Sequence, residues 1–147
     1  MADPVGLAVA AGVLAAATGL GLWWRRRDGR VRTVARDPSN RGLLAALGVE
    51  AGTPVTLLQF SSAFCAPCRA TRAVCRQLTA DRDGVRHMEI DAESHLDAVR
   101  ALGVWRTPTV LVIDAGGRIV ARVTGQPTRA QLTEAVAPLL AEEAVRS

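Results

Sequence analysis

At 147 residues the chain is long enough for one domain of ordinary size with an appendage, and too short for two such domains. Its 18 basic side chains, all arginine, face 14 acids for a net charge of +4, and the stretch with Arg25, Arg26, Arg27, Arg30, Arg32 and Arg36 against Asp3 and Asp28 carries that whole excess. Residues 37–147 balance at 12 Arg and 12 acids, so the basic pI belongs to a short collar, and no nucleic-acid-binding face is expected on the domain.

Residues 1–4 form a short tail. The 20 residues from Val5 to Trp24 carry no charge, and at about 1.5 Å per residue they span about the 30 Å core of a bilayer. They are predicted to be a transmembrane helix, residues 5–24, with Trp23 and Trp24 where an interfacial aromatic belt belongs. A cleaved signal peptide is the rival reading. In a signal peptide, however, positive charges precede the apolar run; here they follow it, and no clear small-x-small cleavage site stands before the arginines. Five arginines directly after the run, and none before it, predict that the flank and the domain behind it stay in the cytoplasm. Two small-residue stripes, Ala8, Gly12 and Ala16 with Ala11, Ala15 and Gly19, would allow a second helix to approach. Chance in an Ala-rich segment is the simpler account of them. Residues 25–36 are expected to be an extended basic linker touching anionic headgroups, and 37–147 the folded domain. Within it, Asp37-Pro38-Ser39-Asn40 predicts a turn and Arg41 to Leu47 a short helix or an edge strand.

Val55 to Phe60 is a β-branched and apolar run of strand length, and Arg69 to Ala80 has apolar residues at helical spacing. Between them, Cys65-Ala66-Pro67-Cys68 opens the helix. Three residues make roughly one turn, which brings the two Cα atoms to about 5.5 Å, suited to an unstrained disulfide. The unpaired N–H groups and positive dipole end of the helix favour a thiolate, most strongly at Cys65. Pro67 sits in the first turn, where its missing N–H is harmless. Cys65 is then the exposed nucleophile and Cys68 the buried resolving thiol. A structural disulfide is another reading of such a pair, and half of a zinc site a third. Zinc would need two further ligands, for which the chain offers only Cys75, His87 and His95 and no second paired motif. Cys75 lies about 10 Å along the same helix face, beyond disulfide reach, and reads as a buried inert thiol.

Val85 to Asp91 is the next predicted strand, after a polar turn at Asp81 to Gly84. Ser94-His95-Leu96-Asp97 starts a short helix in the manner of a capping box, stopped by Gly103. Thr109 to Asp114 and Arg118 to Thr124 form a hairpin around Ala115-Gly116-Gly117. Thr128 caps a last helix with Leu132, Val136, Leu139 and Leu140 on one face, which Pro138 should bend or shorten. The sum is an α/β domain: a central mixed sheet of about four strands flanked by helices, with the cysteines at the carboxyl end of a strand, where such sheets place their sites.

Phe64-Cys65-Ala66-Pro67-Cys68-Arg69 resembles the active site of the thioredoxin family, and Arg106-Thr107-Pro108-Thr109 followed by Val110-Leu111-Val112 resembles its cis-proline loop and next strand. Asp91, the Gly116-Gly117 turn and Gly125 extend the resemblance over about residues 53–141. It implies a thioredoxin-like fold, a cis bond before Pro108, and a Thr107 backbone that faces the cysteines and pairs with an extended substrate segment. Phe64, Ala66, Pro67, Thr107 and Pro108 would then hold the substrate. Members of the family commonly carry a buried Asp six residues before the first cysteine and a Lys on the neighbouring strand; Gln59 and His87 stand there in this chain. A neutral amide cannot act as general base, so deprotonation of Cys68 must use water, His87 or another route. Phe64 replaces a Trp, which keeps an apolar cover and loses an indole donor.

These readings lead to a membrane-tethered thiol-disulfide oxidoreductase that reduces protein disulfides on the cytoplasmic side, re-reduced by an upstream thiol reductant, with no metal or cofactor and a monomeric domain. Two alternatives are an outward-facing reductant similar to those of cytochrome c maturation, and a redox-inert module that uses the fold to dock a partner at the membrane.

Overall fold

The computed structural model describes residues 4–146. Residues 1–3 of the expected 1–4 tail, Ser147, and the side chains of Arg25, Arg26, Arg27, Arg36 and Asp37 lie outside the described residues, and Pro4 begins the first helix. The elements run α1 (Pro4–Arg27), β1 (Val31–Asp37), a 3-10 turn (Pro38–Asn40), α2 (Arg41–Ala46), β2 (Val55–Ser61), α3 (Ala66–Asp81), β3 (Val85–Asp91), α4 (Leu96–Ala101), β4 (Thr109–Asp114), β5 (Ile119–Thr124) and α5 (Arg129–Arg146). Helix α1 is long and apolar enough over Pro4–Trp24 to cross a membrane, and none of that stretch is buried against the protein.

The five strands lie in the order β1-β5-β4-β2-β3. Only β2 and β3 are parallel; the other pairs are antiparallel. Strand β2 is central and buried along its whole length, which its near-continuous apolar run requires, because a strand covered on both faces has no polar side to show. Alternation sends Val55 and Leu57 to one face, with Val110, Val112, Ala121 and Val123, where Cys75 and Leu78 of α3 and Leu132, Val136 and Leu139 of α5 cover them. Leu58, Phe60, Leu111, Ile113 and Ile119 point to the other, beneath Leu44 of α2 and Leu102 and Val104 beyond α4.

The sheet therefore holds five strands where about four were expected, and the fifth comes from the segment read as linker. Residues 31–37 pair antiparallel with β5, Val31 opposite Val123 and Thr33 opposite Ala121. An arginine-rich strand is at home on an edge, where charge discourages further pairing. Residues 41–46 take the helical alternative. The start of α4 lacks the capping box, since Ser94 Oγ donates to Asp91 (2.5 Å) and the cap position, His95, makes no side-chain cap bond. Thr128 does cap α5, and reciprocally: the Gln131 N–H donates to Thr128 Oγ1 (3.2 Å) and the Thr128 N–H to Gln131 Oε1 (2.8 Å). Pro138 does not shorten α5, which continues to Arg146; the proline is exposed, so water can serve the carbonyl it leaves unpaired.

Candidate active site

Strand β2 ends at Ser61, and four residues later Cys65 caps α3. Cys65 is extended (φ −118°, ψ 95°), and its Sγ accepts the Cys68 N–H at 3.1 Å. A sulfur thus takes the place of the oxygen that usually satisfies a first-turn donor. The same N–H would stabilise a thiolate once the bond opens. Cys65 and Cys68 are joined as a disulfide with Cα atoms 5.2 Å apart, close to the separation one helical turn predicts. Cys65 retains 9% of its surface and Cys68 1%, so an incoming group meets Cys65 first. Phe64, Ala66 and Pro67 around it are exposed, Phe64 completely.

The cis bond before Pro108 is present, and the two motifs are linked side chain to side chain: Ser62 Oγ and Thr107 Oγ1 lie 3.0 Å apart. Pro108 is buried and Thr107 half-buried. The loop is fixed from behind by the Gly125 N–H to the Pro108 carbonyl (2.8 Å) and by Thr109 Oγ1 to the Arg106 carbonyl (2.7 Å). Gly125 has φ +90°, a left-handed backbone conformation that favours glycine.

On the inner side, Gln59 is fully buried, and its amide is engaged at both ends. Nε2 donates to the Cys68 carbonyl (3.0 Å) and to Ser61 Oγ (2.8 Å), while Oε1 faces His87 Nε2 at 3.1 Å. An amide oxygen only accepts, so this pattern assigns the His87 proton to Nε2. Burial pushes the His87 pKa down, against the pull of Glu89, which keeps the ring neutral. Gln59 and His87 thus form one chain that holds the Cys68 turn, and His87 reaches that turn only through Gln59.

Sequence reasoning missed the continuation. Ser61 Oγ donates to Glu89 Oε1 (2.6 Å), and Arg72 grips the same carboxylate with Nε at 2.5 Å and Nη2 at 2.7 Å. The hydrogen bond from Arg72, helped by that from Ser61, holds Glu89 below the ordinary carboxylate range. Glu89 is the register partner of Gln59 on β3. The signal was available: Gln59 and Ser61 are two polar residues on one face of an otherwise largely apolar interior strand, and such groups require partners. Cys75 is buried, and burial, assisted by the Glu89 charge, pushes its thiol up to about 12.

Such a pair, one sulfur less buried and the other sealed beneath it, is suited to thiol-disulfide exchange. The sequence comparisons supply the lineage. A family model described as Thioredoxin matches residues 48–138, more than half of the chain, which belongs to the thioredoxin family. Among curated proteins, monothiol glutaredoxin-4 of Schizosaccharomyces pombe is 28% identical over 91 residues, covering 60% of this chain and 37% of that protein; the chain spans little more than a third of that relative's length. Among solved structures, thioredoxin NaTrxh of Nicotiana alata is similar with a TM-score of 0.55 at 24% identity, over 68% of this chain and 85% of that one. Oxidised mitochondrial thioredoxin 3 of Saccharomyces cerevisiae gives 0.55 at 17% identity, over 67% and 85%. At these identities the structures speak for the fold.

Proposed function

We propose that this protein is a membrane-tethered protein-disulfide reductase whose domain lies on the cytoplasmic side. The observation that carries the reductase reading is the asymmetry of the pair, Cys65 the less buried sulfur with a backbone N–H aimed at it and Cys68 sealed behind it. In the reduced protein the Cys65 thiolate attacks one sulfur of a substrate disulfide. A Cys65–substrate disulfide forms, and the first substrate sulfur leaves as a thiolate that takes a proton from water. Cys68, deprotonated, then attacks Cys65 Sγ, and the second substrate thiol departs. Two electrons have passed to the substrate and the Cys65–Cys68 disulfide remains, to be reduced by an upstream thiol. The Thr107 backbone beside Pro108 offers an extended substrate a strand-like partner, and Phe64, Ala66 and Pro67 form the apolar floor under it. Gln59 and His87 act by position, since the amide is no base and the imidazole hydrogen-bonds to that amide.

The exposed apolar helix followed by arginines supports the tether and its sidedness. Both are tested by Ser147→Cys in a chain with Cys65, Cys68 and Cys75 changed to Ser. An impermeant thiol reagent should label it only after lysis; labelling in intact cells would place the domain outside. Reduction of insulin by the full chain, lost in Cys65→Ser, tests the chemistry; a Cys65→Ser chain that still reduces insulin would end the reductase reading.

A further inference from the structure

The apolar helix joins the domain at the same end as the disulfide. Strand β1 starts opposite the end of β5, with Val31 facing Val123 and the Gly29 N–H donating to the Thr124 carbonyl (3.0 Å). The next residue, Gly125, bonds to Pro108 of the cis-proline loop. The junction is clamped. Arg106 Nη2 donates to Asp28 Oδ1 at 2.5 Å, tying that loop to the residue just beyond α1. Gly29 has φ +73° and lies so close to the Gln126 carbonyl that a Cβ would fall 2.3 Å from it.

Beside this junction opens a cavity of about 770 Å³, lined by Trp23, Trp24 and Trp105, by Arg30, Arg32 and Arg122, and by the paired Arg106 and Asp28. Arg32 and Arg122 are direct cross-strand partners. Like charges so placed repel and destabilise a sheet, yet among the described residues neither they nor Arg30 has a carboxylate partner. Arg122 is half-buried, and two of its nitrogens are spent on the carbonyls of Gly103 and Leu102 (2.9 and 2.5 Å). An anion between the guanidiniums would turn the repulsion into attraction. Trp105, 94% exposed, stands two residues before Thr107 with no burial to justify an indole in water.

We propose that this cavity binds the phosphate of an anionic phospholipid headgroup and so seats the Cys65 end of the domain on the bilayer surface. The inference rests on the membrane tether proposed above. The chemistry is that of any phosphate, and the position selects the lipid: Trp23 and Trp24 close the apolar helix at the depth where headgroups lie, and aromatic walls match the boundary between headgroup and acyl chain. Phe64, fully exposed beside Cys65, meets the same surface. The substrates that fit are disulfides presented close to the membrane.

The test uses the full chain in mild detergent and native mass spectrometry with phosphatidylglycerol and phosphatidylcholine as probes. The wild type should retain phosphatidylglycerol in preference, and Arg32→Gln should weaken retention about fivefold, the worth of one interfacial arginine. Arg32→Glu separates ligand from scaffold: facing Arg122 it makes an attractive cross-strand pair, so the melting temperature should hold or rise while phosphatidylglycerol is lost. Equal retention of the two lipids, or retention unchanged in Arg32→Glu, would overturn the site; should Arg32→Glu not fold, Arg32→Gln decides alone. Displacement of the lipid by inorganic phosphate at comparable concentration would assign the site to the free anion and overturn the lipid; a lipid that stays in place supports it. Carbonate washing of membranes reads the tether separately. A chain that stays in the membrane but shows no lipid preference keeps the proposed function and loses the site, whereas a chain that washes off loses both.

Discussion

Cys68 and Cys75 share a helix and a degree of burial, at 1% and 0% exposure, and differ in everything that matters for reactivity. Cys75 lies two turns deeper among Val55, Leu57 and Leu78, where burial, with the Glu89 charge, pushes its pKa up to about 12. Cys68 lies at the helix start, over Gln59 and Ser61 and within disulfide distance of Cys65. Burial alone therefore does not silence a thiol; its neighbours and its place on the helix do.

The largest expected effect comes from removing the presented sulfur. Cys65→Ser should reduce insulin-reductase activity to background, while Cys75→Ala should leave it at the wild-type rate and cost only about 1 kcal/mol of stability, the worth of a small buried apolar group. Activity lost in Cys75→Ala, in a chain that melts normally, would erase the contrast between the two thiols. A smaller effect is expected from Gln59→Leu, which keeps the volume and deletes the bonds to Cys68, Ser61 and His87. Leaving their polar groups unpaired should cost about 1–3 kcal/mol in a denaturant melt, and resolution by Cys68 should slow while attack by Cys65 does not. Equal slowing of both steps would show that Gln59 supports the fold and no particular thiol.

The smallest effect is a pH dependence of stability on the inner side of the site. The folded-state pKa of His87 lies below its unfolded value, so the unfolded chain binds the proton more readily. Stability is then full above the unfolded pKa of about 6.5 and declines as pH falls below it. Glu89, held low by Arg72 and Ser61, adds a second loss on further acidification, beginning as pH falls through the ordinary carboxylate pKa and completed only below the lowered folded value. Melts across pH should show the first decline in wild type and its absence in His87→Asn; an identical profile in the variant would detach His87 from the network.

The site's frame was legible where its signals are local. An apolar run and a paired-cysteine helix start sit within a few residues of each other and mark β2 and α3, whereas the cis-proline loop, 40 residues beyond Cys68, was legible only through the family resemblance of Arg106-Thr107-Pro108-Thr109. Strand β1 was not, because residues 31–37 carry arginines and few apolar side chains, and what makes them a strand is pairing with the sequence-distant Val123 and Ala121. A soluble fragment cut at residue 37 would therefore lose an edge of the sheet, and one meant to fold must start before Val31. Glu89 escaped for a similar reason: its tie to Ser61 depends on the register of two parallel strands. Pro138 reads as a helix breaker, yet the apolar face of Leu132, Val136 and Leu139 packs on both sides of it and holds α5 together.

The central claim is that Cys65 attacks and Cys68 resolves. Cys68→Ser in the full chain, incubated with a disulfide-bonded model protein and analysed without reductant, should accumulate a mixed disulfide that maps by mass spectrometry to Cys65 and disappears on addition of dithiothreitol. No covalent adduct at Cys65, or one that maps to Cys75, would contradict the account.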